Sequence, residues 1–444
     1  MVGTEKDALP SIAVVGLGKI GLTLAAVFAN NGYRVYGADL NKNVVDTVNQ
    51  GNSSIKNEPG IDQLVLKAYQ NGTLSATTDT SKAVAQAGII IVIVPVLIDK
   101  HHQIDYQWID QAVRDIANGI KKDSLVIFET TLPPGDTRNR FGKMIENKAG
   151  LQMGKDFQLV YSPERVYSNQ IISDLQNYPK IIGGINQTSL KRASGFYKNA
   201  LGCQVIEVSS LETAEFAKVA ECVYRDVNIA LVNELAMFSE EKDVDITEVI
   251  LASNSQPYSH LHAPGIGVGG HCIPIYPYFF VNKGLQDGLT PLARSTNDGM
   301  AEYAIKKMEK KIGELQNKNI LILGLSYRGN VKEATKSTSL LLIDLLKKKQ
   351  ANVYMNDPKF SDDEIKTYDA HPLSFDHPFI CNIDVVILQA YHEEYSKLDY
   401  RQFKNCQLIF DGRNQLDKEK IIDLGMQYEG IGRKGDMEKH DRST

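Results

Sequence analysis

Two stretches of the 444-residue chain repeat one order of elements, and this repeat constrains the fold more than any other feature. The first begins at Ile12 with IAVVGLGKIG, an apolar strand followed by a glycine turn and a helix, and its second strand ends at Asp39. The second begins at Asn319 with NILILGLSYRG, continues through the helical LLLIDLLKKK, and ends its second strand at Asp357. This order is typical of doubly wound sheets of parallel strands. The pattern predicts two such sheets, in agreement with a length that exceeds what one hydrophobic core usually organises.

Further apolar segments extend both predicted sheets. The first continues with IIIVIVPV, SLVIFETT and FQLVYSPE, and the second with DVVILQAY and QLIFDGR. The run AGIIIVIVPVLI, from Ala87 to Ile98, is too short to span a membrane and is rich in β-branched residues, which predicts one buried parallel strand. Between the sheets, Thr213 to Lys242 contains no Pro or Gly and has apolar residues at helical spacing, which predicts a helix of about 45 Å. A helix of this length could connect the two domains and form a dimer surface. An ordinary core helix is an equally good interpretation.

The first glycine turn has the features of a dinucleotide site. Gly16, Gly18 and Gly21 have GxGxxG spacing between a strand and a helix. Glycines there permit a tight turn, close approach to a pyrophosphate and close packing of helix on strand, and the helix N-terminus faces the phosphates. Asp39 ends the next strand, where a carboxylate accepts hydrogen bonds from a ribose and repels a 2′-phosphate. The pattern therefore predicts NAD rather than NADP.

The second glycine turn lacks this triplet. Gly324 and Gly329 are present without the third glycine, so no second dinucleotide is expected. Arg328, Lys332 and Lys336 follow nearby and indicate a phosphate-bearing partner, although each alone is typical of a solvated surface charge.

A third feature is the segment GVGGHCIPIYPYF, in which Cys272 could be a nucleophile, a metal ligand or a packing residue. Adjacent residues such as His271 and Cys272 seldom bind one ion, and no second ligand pair follows at metal spacing, so no metal site is predicted. The neighbouring glycines let backbone N–H groups approach an oxyanion. Beside a dinucleotide domain, this favours a nucleophile that traps an aldehyde as a thiohemiacetal and then becomes a thioester.

Eight segments together carry a family resemblance: VVGLGKIGL, ETTLPPGDT, SPERVY, EFAKVAECVYRDVNIALVNELA, PGIGVGGHCIP, ARSTNDGM, ILGLSYRGNV and FDGRN. In these segments and their order the chain resembles the nucleotide-sugar dehydrogenases, the UDP-glucose and UDP-N-acetylhexosamine 6-dehydrogenase family. The resemblance implies an α/β fold with two Rossmann-like doubly wound domains joined by a long central helix with a small α-helical dimerisation region. It implies an NAD-binding domain over 1–208, a central helical dimerisation domain with the cysteine loop over 209–310, a UDP-binding domain over 311–432 and a polar tail over 433–444. The implied reaction oxidises the sugar C6 alcohol to a uronic acid with two NAD.

The resemblance also implies roles for individual residues. The catalytic set is Cys272 as nucleophile, Lys218 at the C6 oxyanion, Glu164 in proton transfer or thioester hydrolysis, and Thr131 at a catalytic water. Cofactor contacts are expected from Gly16, Gly18, Ile20, Gly21, Asp39, Val94, Pro95 and Thr131. Substrate contacts are expected from Glu164, Arg165, Lys218, Arg225, Asn228, Gly267, Gly269, Tyr327, Arg328 and Arg413, the last near the UDP pyrophosphate.

Three positions depart from the family pattern: Cys222 replaces the usual Asn, Tyr276 the usual Asp and Thr335 the usual Arg. Two hypotheses follow, an active branch with a changed proton network or a protein that binds UDP-sugar and NAD with impaired oxidation. The joint presence of the four catalytic residues favours the first. The segments SPERVY and GGHCIP resemble the branch that acts on UDP-N-acetylhexosamines more than the UDP-glucose branch. UDP-glucose is the alternative substrate. A non-catalytic UDP-sugar-binding regulator and a two-electron hydroxyacid dehydrogenase are the rival classes.

Composition bears on partners and location. The net charge of −5 gives no reason to expect nucleic acid or an anionic membrane as partner. The five cysteines are scattered without a CxxC pair, which argues against a disulfide framework and a structural zinc site and favours a reducing cytoplasm. The start, MVGTEKDALP, lacks the apolar core of a signal peptide. A UDP-sugar substrate and a homodimer are the partners that the resemblance implies.

Overall fold

A computed structural model describes residues 9–56, 58–167, 169–282, 284 and 287–433. The predicted polar tail, apart from Arg433, lies outside these residues. The chain divides into two compact units, Met1–Glu221 with Tyr278–Lys283, and Cys222–Pro277 with Gly284–Thr444. They are called the first and second units below. The four-part division predicted from the sequence stays a prediction.

Ten strands and eight helices lie wholly within the first unit among its described residues. The strands are β1 (Ile12–Val15), β2 (Val35–Ala38), β3 (Leu74–Thr77), β4 (Ile89–Val92), β5 (Leu97–Ile98), β6 (Ile104–Asp105), β7 (Leu125–Phe128), β8 (Gln158–Tyr161), β9 (Lys180–Gly184) and β10 (Val205–Val208). The helices are α1 (Lys19–Asn30), α2 (Lys42–Val48), α3 (Ile61–Gln70), α4 (Thr80–Ala85), α5 (Gln107–Gly119), α6 (Lys143–Ala149), α7 (Ile171–Asn177) and α8 (Gln187–Leu201), with wider helical turns over Thr137–Gly142 leading into α6.

An eight-stranded sheet in the order β10-β9-β8-β7-β4-β1-β2-β3 forms the centre of the first unit. Neighbouring strands from β3 to β8 in this order are parallel, whereas β9 pairs antiparallel with β8. All residues of β1, β4, β7 and β8 are buried, as expected for parallel strands covered by helices on both faces. The antiparallel β9 therefore begins at the edge where the parallel strands end.

The prediction of one strand over Ala87–Ile98 is wrong in its length. The strand in the sheet ends at Val92, and Leu97–Ile98 pairs instead with β6 in a short antiparallel hairpin. The carbonyl of Ile93 packs against the glycine turn so closely that a Cβ at Gly16 would lie 2.5 Å from its oxygen. Pro95 has no N–H for a sheet hydrogen bond. Contact with the turn and the proline thus remove the chain from the sheet.

The second unit contains a six-stranded, wholly parallel sheet. Its strands are β11 (Asn319–Leu323), β12 (Asn352–Asn356), β13 (His371–Pro372), β14 (Val385–Leu388), β15 (Leu408–Asp411) and β16 (Gln427–Gly430), in the order β13-β12-β11-β14-β15-β16. The remaining helices of the chain are α9 (Leu211–Glu241), α10 (Ile246–Ser253), α11 (Pro277–Val281), α12 (Leu289–Ile312), α13 (Thr338–Lys348), α14 (Asp362–Lys366) and α15 (Lys418–Asp423), with single 3-10 turns at Pro378–Asn382, Glu393–Lys397 and Tyr400–Gln402. Along β11, Ile320 and Ile322 face one core while Leu321 and Leu323 face the other.

These elements confirm the predicted fold class. Two doubly wound sheets are present, and the predicted central helix extends over Leu211–Glu241, 31 residues, of which the first lie in the first unit and the rest in the second. The role of this helix in a dimer stays a prediction. Within the described residues, we find no helix with the length and apolar character needed to cross a bilayer.

Candidate active site

The glycine turn after β1 forms an open cradle at the N-terminus of α1. Gly16 has a φ of +94°, which favours glycine, and a Cβ at Gly21 would lie 1.9 Å from the carbonyl oxygen of Gly16. A Cβ at Gly18, the N-cap of α1, would meet no atom within 4 Å. Two glycines are therefore required by packing, and the third leaves space where a pyrophosphate can approach the helix N-terminus. Ile20, in the first turn of α1, packs against the core of the unit.

The carboxylate of Asp39 is held beside this cradle by the backbone. Its Oδ2 accepts a hydrogen bond from the N–H of Leu17 at 2.8 Å, and its Oδ1 accepts one from the N–H of Asn41 at 2.8 Å. The side chain is partly exposed. A carboxylate fixed in this way beside the turn fits the ribose hydroxyls of NAD.

The other predicted cofactor residues lie at the same edge of the sheet. The chain leaves β1 and β4 on opposite sides, and ligands of doubly wound sheets bind at the carboxyl ends of such a strand pair. Val94 and Pro95 follow β4, and Thr131 follows β7 and is buried. The hydroxyl of Thr130 donates to the carbonyl oxygen of Val94 at 2.8 Å and joins the two loops. Together these residues fit an NAD molecule at this edge.

Glu164 follows β8 at the same edge and is tightly held. Its Oε1 accepts hydrogen bonds from the N–H groups of Arg165 at 2.7 Å and Val166 at 3.2 Å, and its Oε2 lies 2.7 Å from Nζ of Lys180. Burial opposes ionisation of Glu164, but the Lys180 ammonium outweighs it and holds its pKa below the usual range. The Arg165 guanidinium pairs with Glu221 at 2.5 Å. Sequence reasoning missed Lys180, because NYPKIIGG carries no motif that distinguishes it.

Lys218 occupies α9 within the first unit. The residue is 8% exposed, and among the described residues its ammonium has no recorded side-chain hydrogen bond or ion pair. An ammonium without a carboxylate partner is costly to bury and is available to stabilise a developing oxyanion.

In the second unit, Cys272 lies exposed at the start of a helical turn. The N–H groups of Ile275 and Tyr276 donate to its carbonyl oxygen at 3.2 Å and 2.9 Å. His271 pairs through Nε2 with the carboxylate of Glu333. Among the described residues no group of three or more His, Cys, Asp or Glu is arranged to hold a metal ion. His271 is thus paired with a carboxylate, whereas the neighbouring Cys272 is an exposed residue.

The glycines before Cys272 let the loop pack closely on the turn after β11. A Cβ at Gly269 would lie 2.7 Å from the carbonyl oxygen of Lys336 and 2.7 Å from Cβ of Tyr327. Gly270 has a φ of +100°, and its N–H donates to the carbonyl oxygen of Thr335 at 2.9 Å. Thr335, which replaces the usual Arg, thus fixes the cysteine loop through its backbone.

A buried polar chain fixes the start of the same loop. The N–H of Gly265 donates to Oδ1 of Asn233 at 2.9 Å, and Asn233 donates to Oδ1 of Asn297 at 2.9 Å. Asn297 donates to Oδ1 of Asp226 at 2.8 Å, and the Arg294 guanidinium pairs with the same oxygen at 2.5 Å. These residues belong to motifs that carry the family resemblance, but no role was predicted for them. Their signal in the sequence was spacing alone, since Asp226 and Asn233 are seven residues apart on α9 and Arg294 and Asn297 three apart on α12.

A pocket of about 160 Å³ lies beside this loop within the second unit. It is lined by Ile229, Ala263, Gly265, Gly267, Val268, Gly269, Tyr327 and Arg413. Burial lowers the pKa of the Arg413 guanidinium to about 10, so it stays cationic at neutral pH. Three of the predicted substrate residues besides Arg413 therefore line one pocket: Gly267, Gly269 and Tyr327.

The remaining predicted substrate residues are divided between the units: Arg225, Asn228 and Arg328 lie in the second, whereas Glu164, Arg165 and Lys218 lie in the first. Arg328 donates from Nε to the hydroxyl oxygen of Tyr327 at 3.0 Å. Asn228, three residues after Arg225 on α9, accepts a hydrogen bond from the N–H of His262 at 3.3 Å. The Lys332 ammonium, predicted from the sequence as a candidate phosphate contact, forms an ion pair with the Glu364 carboxylate at 2.6 Å.

Asp357 is the counterpart of Asp39 in the second unit, but it is not available to a ribose. Its Oδ2 accepts from the N–H of Leu325 at 2.8 Å, as Asp39 does from Leu17. The same oxygen also accepts from the hydroxyl of Ser326 at 2.9 Å and lies 3.1 Å from Nε2 of His392. Asp357 is buried at 4% exposure. The same order of strand, turn, helix and strand thus ends in a partly exposed carboxylate in the first unit and in a buried carboxylate in the second.

Three models of one protein family match the sequence of this chain. Models of the UDP-glucose/GDP-mannose dehydrogenase family match the NAD binding domain at residues 10–201, the central domain at 212–298 and the UDP binding domain at 321–418. The chain belongs to this family. It is an NAD-dependent UDP-sugar dehydrogenase, which confirms the predicted family, cofactor and enzyme class.

Two curated relatives cover nearly the whole enzyme. The UDP-N-acetyl-D-mannosamine dehydrogenase of Pyrococcus horikoshii is 31% identical over 438 residues, 96% of this chain and 100% of that protein. The protein of the same name from Campylobacter jejuni is 33% identical over 399 residues, 86% of this chain and 96% of that protein. Among solved structures, UDP-D-ManNAc dehydrogenase from Pyrococcus horikoshii aligns with a TM-score of 0.84 at 30% identity, covering 95% of this chain and 99% of that chain.

Proposed function

We propose that the enzyme oxidises the C6 alcohol of a UDP-N-acetylhexosamine to the uronic acid in two NAD-dependent steps, with Cys272 as the nucleophile. The observation that carries the proposal is the exposure of Cys272, while Cys203, Cys222 and Cys406 are buried. The thiol lies in a loop fixed by glycine packing and by backbone hydrogen bonds within the second unit, and the same loop lines the pocket of Arg413. A fixed, exposed thiol beside an anion-binding pocket suits covalent catalysis on a nucleotide sugar.

Among the sugars, UDP-N-acetyl-D-mannosamine is the first choice. Relatives at 31% to 33% identity from Pyrococcus horikoshii, Campylobacter jejuni and Methanococcus vannielii are named as UDP-N-acetyl-D-mannosamine dehydrogenases. UDP-N-acetyl-D-glucosamine differs from it in configuration at C2 alone. UDP-glucose is the alternative, because the family name includes it.

The residues of the enzyme divide the proposed reaction as follows. NAD supplies a hydride acceptor for C6 in each oxidation. Lys218 stabilises the oxyanion that forms when the C6 hydroxyl loses its proton. The Cys272 sulfur bonds to the aldehyde carbon, and the aldehyde oxygen takes up a proton, which gives a thiohemiacetal. Loss of a second hydride and of the hydroxyl proton leaves Cys272 as a thioester.

Hydrolysis then returns the thiol. Thr131 holds a water, and Glu164 accepts a proton from it as its oxygen bonds to the thioester carbon. The carbon–sulfur bond breaks, Cys272 takes up a proton, and the uronic acid is released. Tyr276 stands where the family usually has Asp, and the proton is transferred by Glu164 instead.

A panel assay tests the proposal. Purified enzyme with NAD is offered UDP-N-acetyl-D-mannosamine, UDP-N-acetyl-D-glucosamine and UDP-glucose, and the NADH formed per sugar is measured. Two NADH per sugar support full oxidation, one NADH means that the reaction stops at the aldehyde, and none favours a binding role. Cys272→Ala is expected to abolish uronic acid formation, with Cys381→Ala as the matched control. Uronic acid production by Cys272→Ala at the parental rate would overturn the role of the thiol.

We also propose that the enzyme is a homodimer that forms through α9. Tyr224, Leu231 and Phe238 follow at intervals of seven residues on this helix and are 57%, 47% and 55% exposed. Such spacing places them on one side of the helix, where a second copy of the chain can cover them. Sedimentation velocity tests this, since Leu231→Glu is expected to yield monomers; a dimer of unchanged affinity in this variant would contradict the proposal.

A cytoplasmic location is inferred from the chemistry of the cysteines. The proposed nucleophile acts as a reduced thiol, which a reducing compartment preserves. Cell fractionation with an antibody against the enzyme tests the location, and recovery outside the cytoplasmic fraction would contradict it.

A further inference from the structure

A buried group of one ammonium and two carboxyls lies behind Glu164 in the first unit. Nζ of Lys180 is 2.7 Å from Oε2 of Glu129 and 2.7 Å from Oε2 of Glu164. The hydroxyl of Tyr197 donates to Oε1 of Glu129 at 2.5 Å, and the Lys180 ammonium lies 5.1 Å from the centre of the Tyr197 ring. These four residues are called the Lys180 cluster.

The topology of the sheet explains how distant residues meet in this cluster. Glu129 directly follows β7, and Glu164 lies three residues after β8, so both are at the carboxyl edge of the parallel strands. Because β9 runs antiparallel to β8, its first residue, Lys180, lies at the same edge. A parallel strand in this place would have carried its first residue to the opposite edge.

Access to solvent distinguishes the members of the cluster. The side chain of Glu129 is fully buried and that of Lys180 is 5% exposed, whereas that of Glu164 is 12% exposed. A small pocket of about 10 Å³, close to the space needed for one water, is lined by Glu164 and Lys180 together with neighbouring residues. Glu164 is therefore the carboxylate of the cluster that a water or substrate can reach, and Glu129 lies behind it.

The charges within the cluster divide unequally between the two carboxyls. Burial raises the pKa of Glu129 to about 7 against the opposing effect of Lys180, whereas Lys180 and two backbone N–H groups hold the pKa of Glu164 below its usual range. Burial raises the pKa of both the Tyr197 hydroxyl and the Cys203 thiol, so these neighbours stay neutral. The other ionisable side chains that line the small pocket are Arg165, Asp174 and Tyr178. The surroundings therefore act on the two carboxyls in opposite directions, since they oppose ionisation of Glu129 and favour ionisation of Glu164.

We propose that Lys180 is a positioning residue that keeps Glu164 ionised and fixes its Oε2, with Glu129 and Tyr197 holding the ammonium from behind. The proposal rests on the role of Glu164 as proton acceptor in the proposed function. Since Oε1 is fixed by backbone N–H groups and Oε2 by the ammonium, the carboxylate reaches the reaction in one orientation. A desolvated carboxyl without this ammonium would be protonated near neutral pH and unable to accept a proton.

A purely structural role would affect folding stability but not the ionisation of Glu164. Lys180→Met removes the ammonium and leaves both carboxyls buried. Glu129→Gln keeps the contact between Lys180 and Glu164 and is the matched control. The double variant, Lys180→Met with Glu129→Gln, lacks the ammonium and also has one buried carboxyl fewer than Lys180→Met. It therefore separates an effect on folding stability from an effect on the ionisation of Glu164.

The activity test compares the pH dependence of kcat/KM in these variants. In Lys180→Met, the acidic limb is expected to move upward by at least about one pH unit, and kcat at pH 7 to fall about tenfold or more, with NAD affinity unchanged within about twofold. In Glu129→Gln the acidic limb is expected at or below its parental position. The double variant is expected to regain unfolding stability relative to Lys180→Met and yet keep the displaced limb. An acidic limb at the parental pH in Lys180→Met, or its return in the double variant, would overturn the proposal.

A spectroscopic arm makes the test independent of turnover. Enzyme labelled with ¹³C at glutamate carboxyls is titrated by infrared spectroscopy, and the difference from Glu164→Gln assigns the Glu164 band. Glu164 is expected to be ionised at pH 7 in the parental enzyme and protonated in Lys180→Met. If no UDP-sugar is oxidised, the proposed function fails while this measurement still decides the role of Lys180. An ionised Glu164 at pH 7 in Lys180→Met would show that Lys180 does not set its charge.

Discussion

The guanidinium of Arg413 donates from Nη1 to the carbonyl oxygen of Gly267 at 3.1 Å. Its Nε donates to the carbonyl oxygen of Gln389 at 2.5 Å. Two neutral carbonyl groups thus fix the orientation of the side chain without neutralising its charge. A guanidinium held in this way suits a phosphate, because its forked N–H donors match the phosphate oxygens. Arg413, which follows β15 and lines the pocket, therefore links the end of this strand to the cysteine loop.

Replacement of Arg413 is therefore expected to weaken UDP binding. Arg413→Met loses charge-assisted hydrogen bonds of about 1.5–3 kcal/mol each, so the Kd for UDP should rise about tenfold or more. Isothermal titration calorimetry with UDP measures this. Lys332→Met is the control, because Lys332 is paired with Glu364, and its Kd should stay within about twofold of the parental value. Equal losses in the two variants would contradict the assignment of the pocket.

The charge of Asp39 is expected to set the preference for NAD. Asp39→Asn keeps an oxygen that can accept from the N–H of Leu17 but removes the charge that repels a 2′-phosphate. The ratio of kcat/KM for NAD to that for NADP should fall about tenfold or more. Steady-state kinetics with each cofactor measure the ratio, and an unchanged ratio would argue against a ribose contact by Asp39.

Close packing at Gly269 is expected to make this position intolerant of a side chain. Gly269→Ala would place a methyl group 2.7 Å from the carbonyl oxygen of Lys336, and the forced shift should cost about 1–3 kcal/mol and displace Cys272. Gly299→Ala is the matched control, because a Cβ there meets nothing within 4 Å on α12, and helix propensity should stabilise that variant by up to about 1 kcal/mol. Urea unfolding and the rate of thiol alkylation measure both effects. Parental values for Gly269→Ala would show that the loop is not held by this contact.

Acid is expected to remove a stabilising contribution of Asp357. Burial opposes its ionisation, but hydrogen bonds from His392 and from backbone N–H groups hold its pKa below the usual range. A carboxyl whose pKa is lower in the folded state stabilises above its unfolded pKa of about 3.9, and this stabilisation is lost as the pH falls through the folded pKa.

The parental enzyme should thus exceed Asp357→Asn in free energy of unfolding by about 1–3 kcal/mol at pH 7, with a difference that shrinks below about pH 4. Urea unfolding at several pH values measures the difference. Asp423→Asn, an exposed carboxylate of the same unit, is the control and should change little. A difference that stays constant down to pH 3 would contradict the assigned contribution.

Local sequence patterns predicted the elements whose physical basis is itself local. The alternation of apolar strands and helices gave both sheets, and the absence of Pro and Gly gave α9 to within two residues at each end. The glycine triplet and Asp39 were predicted because the spacing of a turn between a strand and a helix is fixed over a few residues. The strand over Ala87–Ile98 was too long in the prediction, since its end depends on contact with Gly16, which is distant in sequence.

Local periodicity in the sequence alone determined the fold class, and the motifs that carry the family resemblance indicated the family. The positions assigned to the proposed chemistry are what this resemblance implies, and they stay a prediction. The tertiary structure alone decided which side chains surround those positions. Glu129, Glu164 and Lys180 lie on separate segments of the sequence, and an antiparallel strand at the end of a parallel sheet brings the Lys180 ammonium to 2.7 Å from each carboxylate. Likewise Asp39 and Asp357 end equivalent strands, yet His392 and Ser326 bury one of them while the other stays partly open. Burial and charge pairing are set by contacts between distant segments, and these contacts exist only in the folded chain.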